Sequence, residues 1–117
     1  MFEYSANVVS VYDGDTFHAD LDLGFDIWHR NADFRMYGIN APELTASDPV
    51  VKAAAFAARD ALRVLILGKP VTIQSIKDRT EKYGRYLAIV FVRQADGTLL
   101  NVNDYMVQNN FAVPYFP

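Results

Sequence analysis

Residues 3–23, EYSANVVSVYDGDTFHADLDL, decide the fold that the sequence predicts. Segments 3–12 and 15–23 are rich in β-branched and aromatic residues, and the pair Asp13-Gly14 between them is typical of a tight hairpin turn. In the second segment polar and apolar residues alternate, which is the pattern of a strand with one solvent-facing side. The stretch therefore predicts two antiparallel strands joined at Asp13-Gly14.

Beyond this hairpin the sequence predicts three more strands. Residues 27–38, reached through Gly24, form the third strand, and residues 71–77 and 86–93 form the fourth and fifth, because each run is rich in strand-forming residues. Asp96-Gly97 predicts another turn before the short segment LLNV.

A long helix is predicted in the middle of the chain. Ser47-Asp48-Pro49 places a polar cap before a proline in the first turn, which is a helix-start signal, and residues 50–66 contain strong helix formers without an internal Gly or Pro. Gly68 and Pro70 are expected to end the helix. Its predicted apolar face consists of Phe56, Ala57, Leu62, Val64, Leu65 and Ile66.

The order of elements predicts the fold class. A brief last helix over DYMVQNN is expected after a cap at Asn101 or Asn103. The chain is then an α+β protein, mainly β, and the order suits a five-stranded Greek-key barrel of the OB type. An SH3-like barrel or another α+β sheet satisfies the same pattern. Residues 1–117 are expected to form a single domain, because a second core would have too few residues to be stable.

The chain has 11 basic and 14 acidic residues, so its net charge is −3. This net charge argues against binding to nucleic acid through bulk charge alone. The distribution is uneven: residues 1–48 carry a net charge of −7 and residues 49–117 a net charge of +4. One half suits a cation and the other an anion. A mixed surface with no functional division is the alternative.

The sequence also bears on membrane association, secretion and cysteine chemistry. No apolar run approaches the roughly 20 residues of a membrane span, so no membrane partner is expected. The first residues, MFEYSANVV, lack the basic and apolar regions of a signal peptide, which favours a cytoplasmic over a secreted protein. The absence of cysteine excludes disulfides and thiolate zinc sites. The oligomeric state is left open.

Three clusters of residues are candidates for chemistry. In the first, Asp13 and Asp15 flank Gly14 at the end of a strand, where a tight turn lets two carboxylates converge on a hard cation such as Ca²⁺ or Mg²⁺. An ordinary hairpin turn with solvated acids is the alternative.

The second cluster is RMYGINAPE, residues 35–43. Pro42 stiffens a loop that presents Asn40 and Glu43, and Arg35 offers a fork of donors to a phosphate. The third cluster is KDRTEKYGR, residues 77–85, in which basic residues and a tyrosine lie between two strands. Such a loop can meet a phosphodiester backbone and stack on a base. The alternative for the second cluster is a surface arginine followed by an ordinary loop. The alternative for the third cluster is a solvated charged loop.

Together, in this order around one long helix, the clusters resemble the staphylococcal nuclease family. VYDGDTF is similar to its Asp-Gly-Asp-Thr hairpin, RMYGINAPE to its Arg-then-Asp-x-Pro-Glu stretch and RTEKYGRYLA to its Asp/Glu-Lys-Tyr-Gly-Arg stretch. NVNDYMVQNNFA is similar to the segment that enters the family's next helix. The resemblance covers roughly residues 8–115.

The resemblance implies a Ca²⁺ site, with Mg²⁺ or another divalent ion as the alternative. Asp15 and Asn40 match the two side-chain ligands, the backbone carbonyl of Ala41 matches the third ligand, and Asp13 matches a neighbouring acid that supports them. Asn40 departs from the family, whose best-known member has Asp there. Because ligand charge tunes affinity, weaker metal binding is expected.

The resemblance also implies the catalytic residues. Glu43 matches the glutamate that positions or activates the attacking water, and Arg35 and Arg85 match the two arginines that grip the phosphate and offset charge in the transition state.

Substrate-binding positions follow in the same way. Lys82 and Tyr83 match residues near a terminal phosphate, and Tyr115 matches a tyrosine on which a base stacks, in an alignment that needs a one-residue gap. The span between Asp15 and Arg35 is longer than in the best-known member, so the hairpin at about Gly24 to Asn31 is expected to be longer.

The function implied is a metal-dependent nuclease. It would hydrolyse phosphodiester bonds of DNA, RNA or both, preferably single-stranded, with water activated by the metal. The alternative is a catalytically weak or inactive OB-fold module that only binds nucleic acid. Asn40 favours this alternative, whereas the joint presence of Asp15, Arg35, Glu43 and Arg85 favours catalysis.

Overall fold

The first two strands form the predicted hairpin in the computed structural model, which describes residues 2–80 and 84–116. β1 spans Phe2–Asp13 and β2 spans Thr16–Asp22. Asp13 pairs with Thr16, so Gly14 and Asp15 form the turn.

Five strands close into a barrel. The elements after the hairpin are β3 (Trp28–Met36), β4 (Ile39–Asn40), α1 (Pro49–Ile66), β5 (Pro70–Thr80), β6 (Tyr86–Arg93), β7 (Leu99–Asn101), α2 (Val102–Gln108) and β8 (Val113–Pro114). The barrel order β3-β2-β1-β5-β6 is closed by parallel pairing of β3 with β6, in which Phe34 lies opposite Tyr86. β7 extends the sheet beside β6, and β4 pairs with β8 in a separate two-stranded sheet. The predicted mainly-β five-stranded barrel with one long and one short helix is confirmed.

The barrel core follows from the alternation of the strands. Inward-facing positions of β2 and β3 carry Phe17 and Phe34, whose rings stack at 5.2 Å between centroids. Apolar residues from every barrel strand share one buried cluster with residues of both helices. In the described part of the chain, neither helix is long and apolar enough to cross a membrane.

Helix α1 begins and ends where the sequence predicts. The Asp48 side chain accepts a hydrogen bond from the Val50 amide, Pro49 lies in the first turn, and the helix ends at Ile66 before Gly68. The predicted apolar face, however, was partly wrong. Phe56, Ala57 and Val64 are exposed, and the buried residues of this helix are Ala55, Ala58, Leu62 and Ile66.

The third strand is shorter than predicted because the chain turns at Gly38. β3 ends at Met36, and Gly38 adopts a φ of +77°, which a residue with a side chain adopts only at a cost. A Cβ at Gly38 would also lie 2.8 Å from the ring of Phe116. After this turn the short strand β4 carries Asn40.

The hairpin between β2 and β3 turns at residues 24–26 and contains a bulge. Opposite Asp20 the register shifts, and Asn31 has a φ of +53°. The Asp20 carboxylate accepts hydrogen bonds from the Asn31 amide at 2.9 Å and from the Arg30 guanidinium at 3.2 Å. The bulge is therefore stabilised by one acid.

The two asparagines considered as caps have different roles. Asn101 caps α2, since its side chain accepts a hydrogen bond from the Asp104 amide. Asn103 is buried; its Oδ1 accepts from the Val90 amide at 3.0 Å, and its Nδ2 donates to the carbonyls of Tyr37 and Ala88. Asn103 thus ties α2 to β6 and to the turn that precedes β4.

Candidate functional site

The Asp13–Asp15 turn is pressed against two other parts of the fold. A Cβ at Gly14 would lie 2.8 Å from the Cβ of Ala41 and 2.8 Å from the Cβ of Ala58. The φ of Gly14 lies outside the left-handed region, so the turn itself does not require glycine. The absent side chain lets the turn contact α1 and the residue after β4, which fixes the position of both flanking acids.

Asp15 is held from several directions. It is only 5% exposed. Its Oδ2 accepts a hydrogen bond from the Ala41 amide at 2.8 Å and lies 3.2 Å from Nη1 of Arg35. Its Oδ1 accepts a hydrogen bond from the Thr16 hydroxyl at 3.1 Å. The carboxylate is therefore fixed at the junction of β2, β3 and the loop after β4.

Arg35 links this carboxylate to Asn40. Its Nη2 donates to Oδ1 of Asn40 at 3.3 Å, and its Nη1 donates to the carbonyl of Ile39 at 3.1 Å. The Arg35 guanidinium also lies 6.0 Å from the ring centroid of Tyr115. Arg35 thus lies between a predicted ligand and the residue on which a base was predicted to stack.

Arg85, the residue directly before β6, also contacts this part of the hairpin. Its Nη1 donates to the Thr16 hydroxyl at 3.2 Å. Because Thr16 lies opposite Arg35 in the pairing of β2 with β3, both arginines contact neighbouring residues of one turn. The convergence of the two arginines depends on closure of the barrel.

Thr16 was not among the residues predicted for the site. The alternation of β2 placed it on a solvent-facing side, whereas the structure buries it at 4% exposure, between Asp15 and Arg85. The sequence feature that could have identified Thr16 is its position directly after Asp15, the second acid of the motif.

The second acid of the turn, Asp13, lies next to Asp15. The Asp15 amide donates to Oδ1 of Asp13 at 3.1 Å. Burial, together with the neighbouring Asp15 carboxyl, raises the pKa of Asp13 to about 7. Removing water from an acid beside a second acid disfavours the ionised form, and a bound cation would reverse that effect.

The residues predicted to hold a metal fit a hard cation by their chemistry. Asp15, Asn40 and the Ala41 carbonyl supply only oxygen donors, which Ca²⁺ and Mg²⁺ prefer. No group of three His, Cys, Asp or Glu residues suited to a metal lies within residues 2–80 and 84–116, so such a site depends on the amide and the carbonyl. Arg35 contacts both the Asp15 and the Asn40 oxygens, and a bound ion would share or displace these contacts.

The remaining predicted residues are Glu43, Lys82, Tyr83 and Tyr115, of which only Tyr115 has a described contact with the cluster, through Arg35. Glu43 lies exposed on the loop after Ala41, and within the described ranges its carboxylate has no hydrogen bond or ion pair. Lys82 and Tyr83 lie outside the described residues. Tyr115 is half-exposed, and its amide donates to the Gly38 carbonyl at 2.9 Å.

The fold is a barrel of the OB type, and an acidic turn lies between two arginines at its candidate site. The model of the staphylococcal nuclease homologues matches residues 33–116. The chain belongs to this family. The match includes Arg35, Asn40, Glu43 and Arg85 and begins after the β1–β2 hairpin.

The chain is also similar to an uncharacterised protein of Methanocaldococcus jannaschii. The two are 27% identical over an alignment of 127 positions that covers 96% of this chain. This chain spans 59% of the length of that relative.

Proposed function

We propose that this protein is a metal-dependent nuclease that hydrolyses phosphodiester bonds of single-stranded DNA or RNA. One observation carries the proposal: Arg35 of β3 and Arg85, directly before β6, contact the neighbouring residues Asp15 and Thr16, and Asn40 contacts Arg35. Two guanidiniums beside a buried acid suit a site where an anion and a cation bind together.

The arginines would act on the phosphate. A guanidinium fork donates two hydrogen bonds to phosphate oxygens, and these bonds strengthen as the reacting phosphorus gains a fifth oxygen and charge accumulates. Arg35 is held by the Ile39 carbonyl and Arg85 by the Thr16 hydroxyl. Because both are positioned before substrate arrives, less reorganisation is needed during the reaction.

Glu43 would orient the water that attacks the phosphorus. Its exposure on the loop after Ala41 leaves its carboxylate accessible to solvent. A bound Ca²⁺, held by Asp15, Asn40 and the Ala41 carbonyl, would lower the pKa of water and polarise a phosphoryl oxygen. Asp13 would hold the Asp15 backbone in place through its contact with the Asp15 amide.

Digestion of a labelled single-stranded oligonucleotide tests this proposal. We expect cleavage of DNA, RNA or both with millimolar Ca²⁺, and no cleavage with EDTA. Parallel reactions with Mg²⁺ and Mn²⁺ identify the ion. Undiminished cleavage in EDTA, or no cleavage with any of these ions, would overturn the proposal.

Three substitutions assign the roles. Arg35→Ala, Glu43→Gln and Arg85→Ala should each lower the single-turnover rate by on the order of 100-fold or more, because each group supports charge or the nucleophile only as the transition state forms. Arg30→Ala is the matched control, since Arg30 is an exposed arginine that pairs with Asp20 away from the turn. Circular dichroism and melting curves establish that each variant is folded.

A binding module without catalysis is the second candidate, and Asn40 favours it. One fewer carboxylate beside the metal lowers the attraction for a divalent ion. Under this candidate the protein binds single strands equally well in Ca²⁺ and EDTA and leaves them intact. Anisotropy of a labelled strand in both buffers, read beside the digestion, separates the two candidates.

A further inference from the structure

A groove lies beside Asn40, between the two-stranded sheet and the start of α1. It is open to solvent and has a volume of about 310 Å³. Ala41 and Ala112 line it together with Asn40, Pro42, Val51, Asn110, Phe111 and Val113. Tyr115 does not line the groove, and its amide donates to the Gly38 carbonyl at the end of the same two-stranded sheet.

The pairing of β4 with β8 places the groove and Tyr115 on one continuous face. Asn40 lies opposite Val113, and side chains of directly paired residues lie on the same face of a sheet. Tyr115, two residues after Val113, continues that face, because side chains alternate along a strand. Arg35 lies between them, since its guanidinium contacts Asn40 Oδ1 at 3.3 Å and lies 6.0 Å from the Tyr115 ring.

The chemistry of the groove suits a nucleobase. The apolar residues Pro42, Val51, Phe111 and Val113 line it together with the amide-bearing residues Asn40 and Asn110. No charged residue is among the described residues that line it, so nothing there would hold a phosphate. A base has apolar faces and hydrogen-bonding edges, which match apolar walls and amide groups. The volume is at the lower end of the range of small-ligand pockets, which leaves room for one base.

We propose that this groove holds the base of the nucleotide on one side of the reactive phosphate, while the base on the other side stacks on Tyr115. The inference rests on the proposed function and extends it, because a phosphate bound by Arg35 has the groove on one side and Tyr115 on the other. Two bases held apart in this way are unstacked and unpaired. The groove therefore gives a physical reason for a preference for single strands.

Two groove variants and one matched control test the inference. Val51→Gln and Val113→Ser make the walls polar without adding charge, and both side chains are partly exposed, so the fold should tolerate them. Val64→Gln is the control for Val51→Gln, because Val64 is an exposed valine of the same helix, roughly 20 Å further along its axis. Melting curves for all three are expected to stay close to that of the wild type.

Three substrates are compared. Thymidylyl-thymidine has a nucleoside on both sides of the phosphate, whereas each of the two thymidine methyl phosphodiesters has a nucleoside on only one side. In both groove variants kcat/KM for the dinucleotide should fall roughly five- to tenfold, the loss expected when one base loses its stacking contact. For the methyl ester whose nucleoside lies on Tyr115, kcat/KM should stay within about twofold. The ester that does respond identifies which side of the phosphate the groove serves. An equal fall on all three substrates, or no fall on the dinucleotide, would overturn the inference.

A binding measurement separates this inference from the proposed function. The affinity for fluorescein-labelled tetrathymidylate is measured in EDTA for the same variants. If the wild type cleaves nothing, the nuclease proposal fails, and the groove assignment survives only if Val51→Gln and Val113→Ser weaken this affinity while Val64→Gln does not. If the groove variants bind as tightly as the wild type, or change only the association state of the protein, the groove does not hold a base.

Discussion

At the residue scale, Asn40 carries the greatest consequence, because it has two possible partners in the site. Its Oδ1 accepts a hydrogen bond from Arg35, and the same oxygen is a predicted metal ligand. An amide contributes a dipole to a bound ion, whereas a carboxylate contributes a full charge. In the proposed nuclease, Asn40 would therefore set both the strength of metal binding and the freedom of Arg35 to leave for a phosphate.

Replacement of Asn40 by aspartate should tighten Ca²⁺ binding. The added charge is expected to contribute about 1–2 kcal/mol at an effective dielectric near 20 after screening. Part of the gain is offset because residue 40 then also pairs with Arg35, so the gain should be larger in an Arg35→Ala background. Titration calorimetry of the four proteins measures it. Unchanged or weaker Ca²⁺ affinity in Asn40→Asp would mean that residue 40 does not face the ion.

Gly14 makes a second prediction at this scale. Gly14→Ala forces a Cβ to within 2.8 Å of Ala41 and Ala58, whose side chains cannot rotate away, and overpacking of this kind typically costs about 1–3 kcal/mol. Because the turn carries Asp15, activity should fall as well. Gly97→Ala is the control: its φ is +89° with open space around it, so it should cost about 1 kcal/mol without affecting activity.

Denaturant unfolding and the single-turnover rate are the measurements for both glycine variants. Equal stability losses with equal activities in Gly14→Ala and Gly97→Ala would contradict the close approach of the turn to α1.

At the element scale, the hairpin, the long helix and the barrel order follow from the sequence because alternation and capping are local signals. The buried face of α1 does not follow, because small and large apolar residues look alike in a periodic pattern. Ala58 faces the barrel where the turn at Gly14 approaches closely, Leu62 and Ile66 are buried further along the helix, and Phe56 and Val64 are exposed. Which residues of α1 are buried depends on how near the helix lies to β1, and this distance is set by the tertiary structure.

The two asparagines near α2 give a matched test of element packing. Asn103→Ala leaves the Val90 amide and the carbonyls of Tyr37 and Ala88 without their side-chain partner in a buried place, which should cost about 3 kcal/mol. Asn101→Ala removes only a helix cap and should cost about 1 kcal/mol. Urea unfolding of both variants measures the difference. A loss at Asn101 equal to or greater than that at Asn103 would be inconsistent with this assignment.

At the scale of the whole molecule, the two halves of the sequence meet in one site. The acids Asp13 and Asp15 come from the acidic half, and Arg85 comes from the basic half. Barrel closure between β3 and β6 brings Arg85 to Thr16. The motifs predicted that Asp15, Arg35, Asn40 and Arg85 share one site, and the structure brings these four residues together. The part of Thr16 and the groove at Val113 could not be predicted, because they depend on strand closure and on the pairing of two short strands.

Metal binding should stabilise the whole fold, because the proposed ligands come from the turn after β1 and from β4. We expect residues 1–117 to unfold in a single transition as one domain, with a midpoint that rises with Ca²⁺ concentration as mass action requires. Asp15→Asn should abolish most of this rise. Scanning calorimetry at several Ca²⁺ concentrations measures it, and a midpoint independent of Ca²⁺ in the wild type would contradict a specific site.

The most direct test of the central claim is the initial rate of cleavage of a labelled single-stranded oligonucleotide as a function of Ca²⁺, for the wild type and Asp15→Asn side by side. Cleavage by the wild type should rise to saturation with Ca²⁺ and disappear in EDTA. Asp15→Asn should remain folded and lose most of the activity at every Ca²⁺ concentration. Rates that do not depend on Ca²⁺, or equal rates for the two proteins, would contradict catalysis by a metal held at this turn.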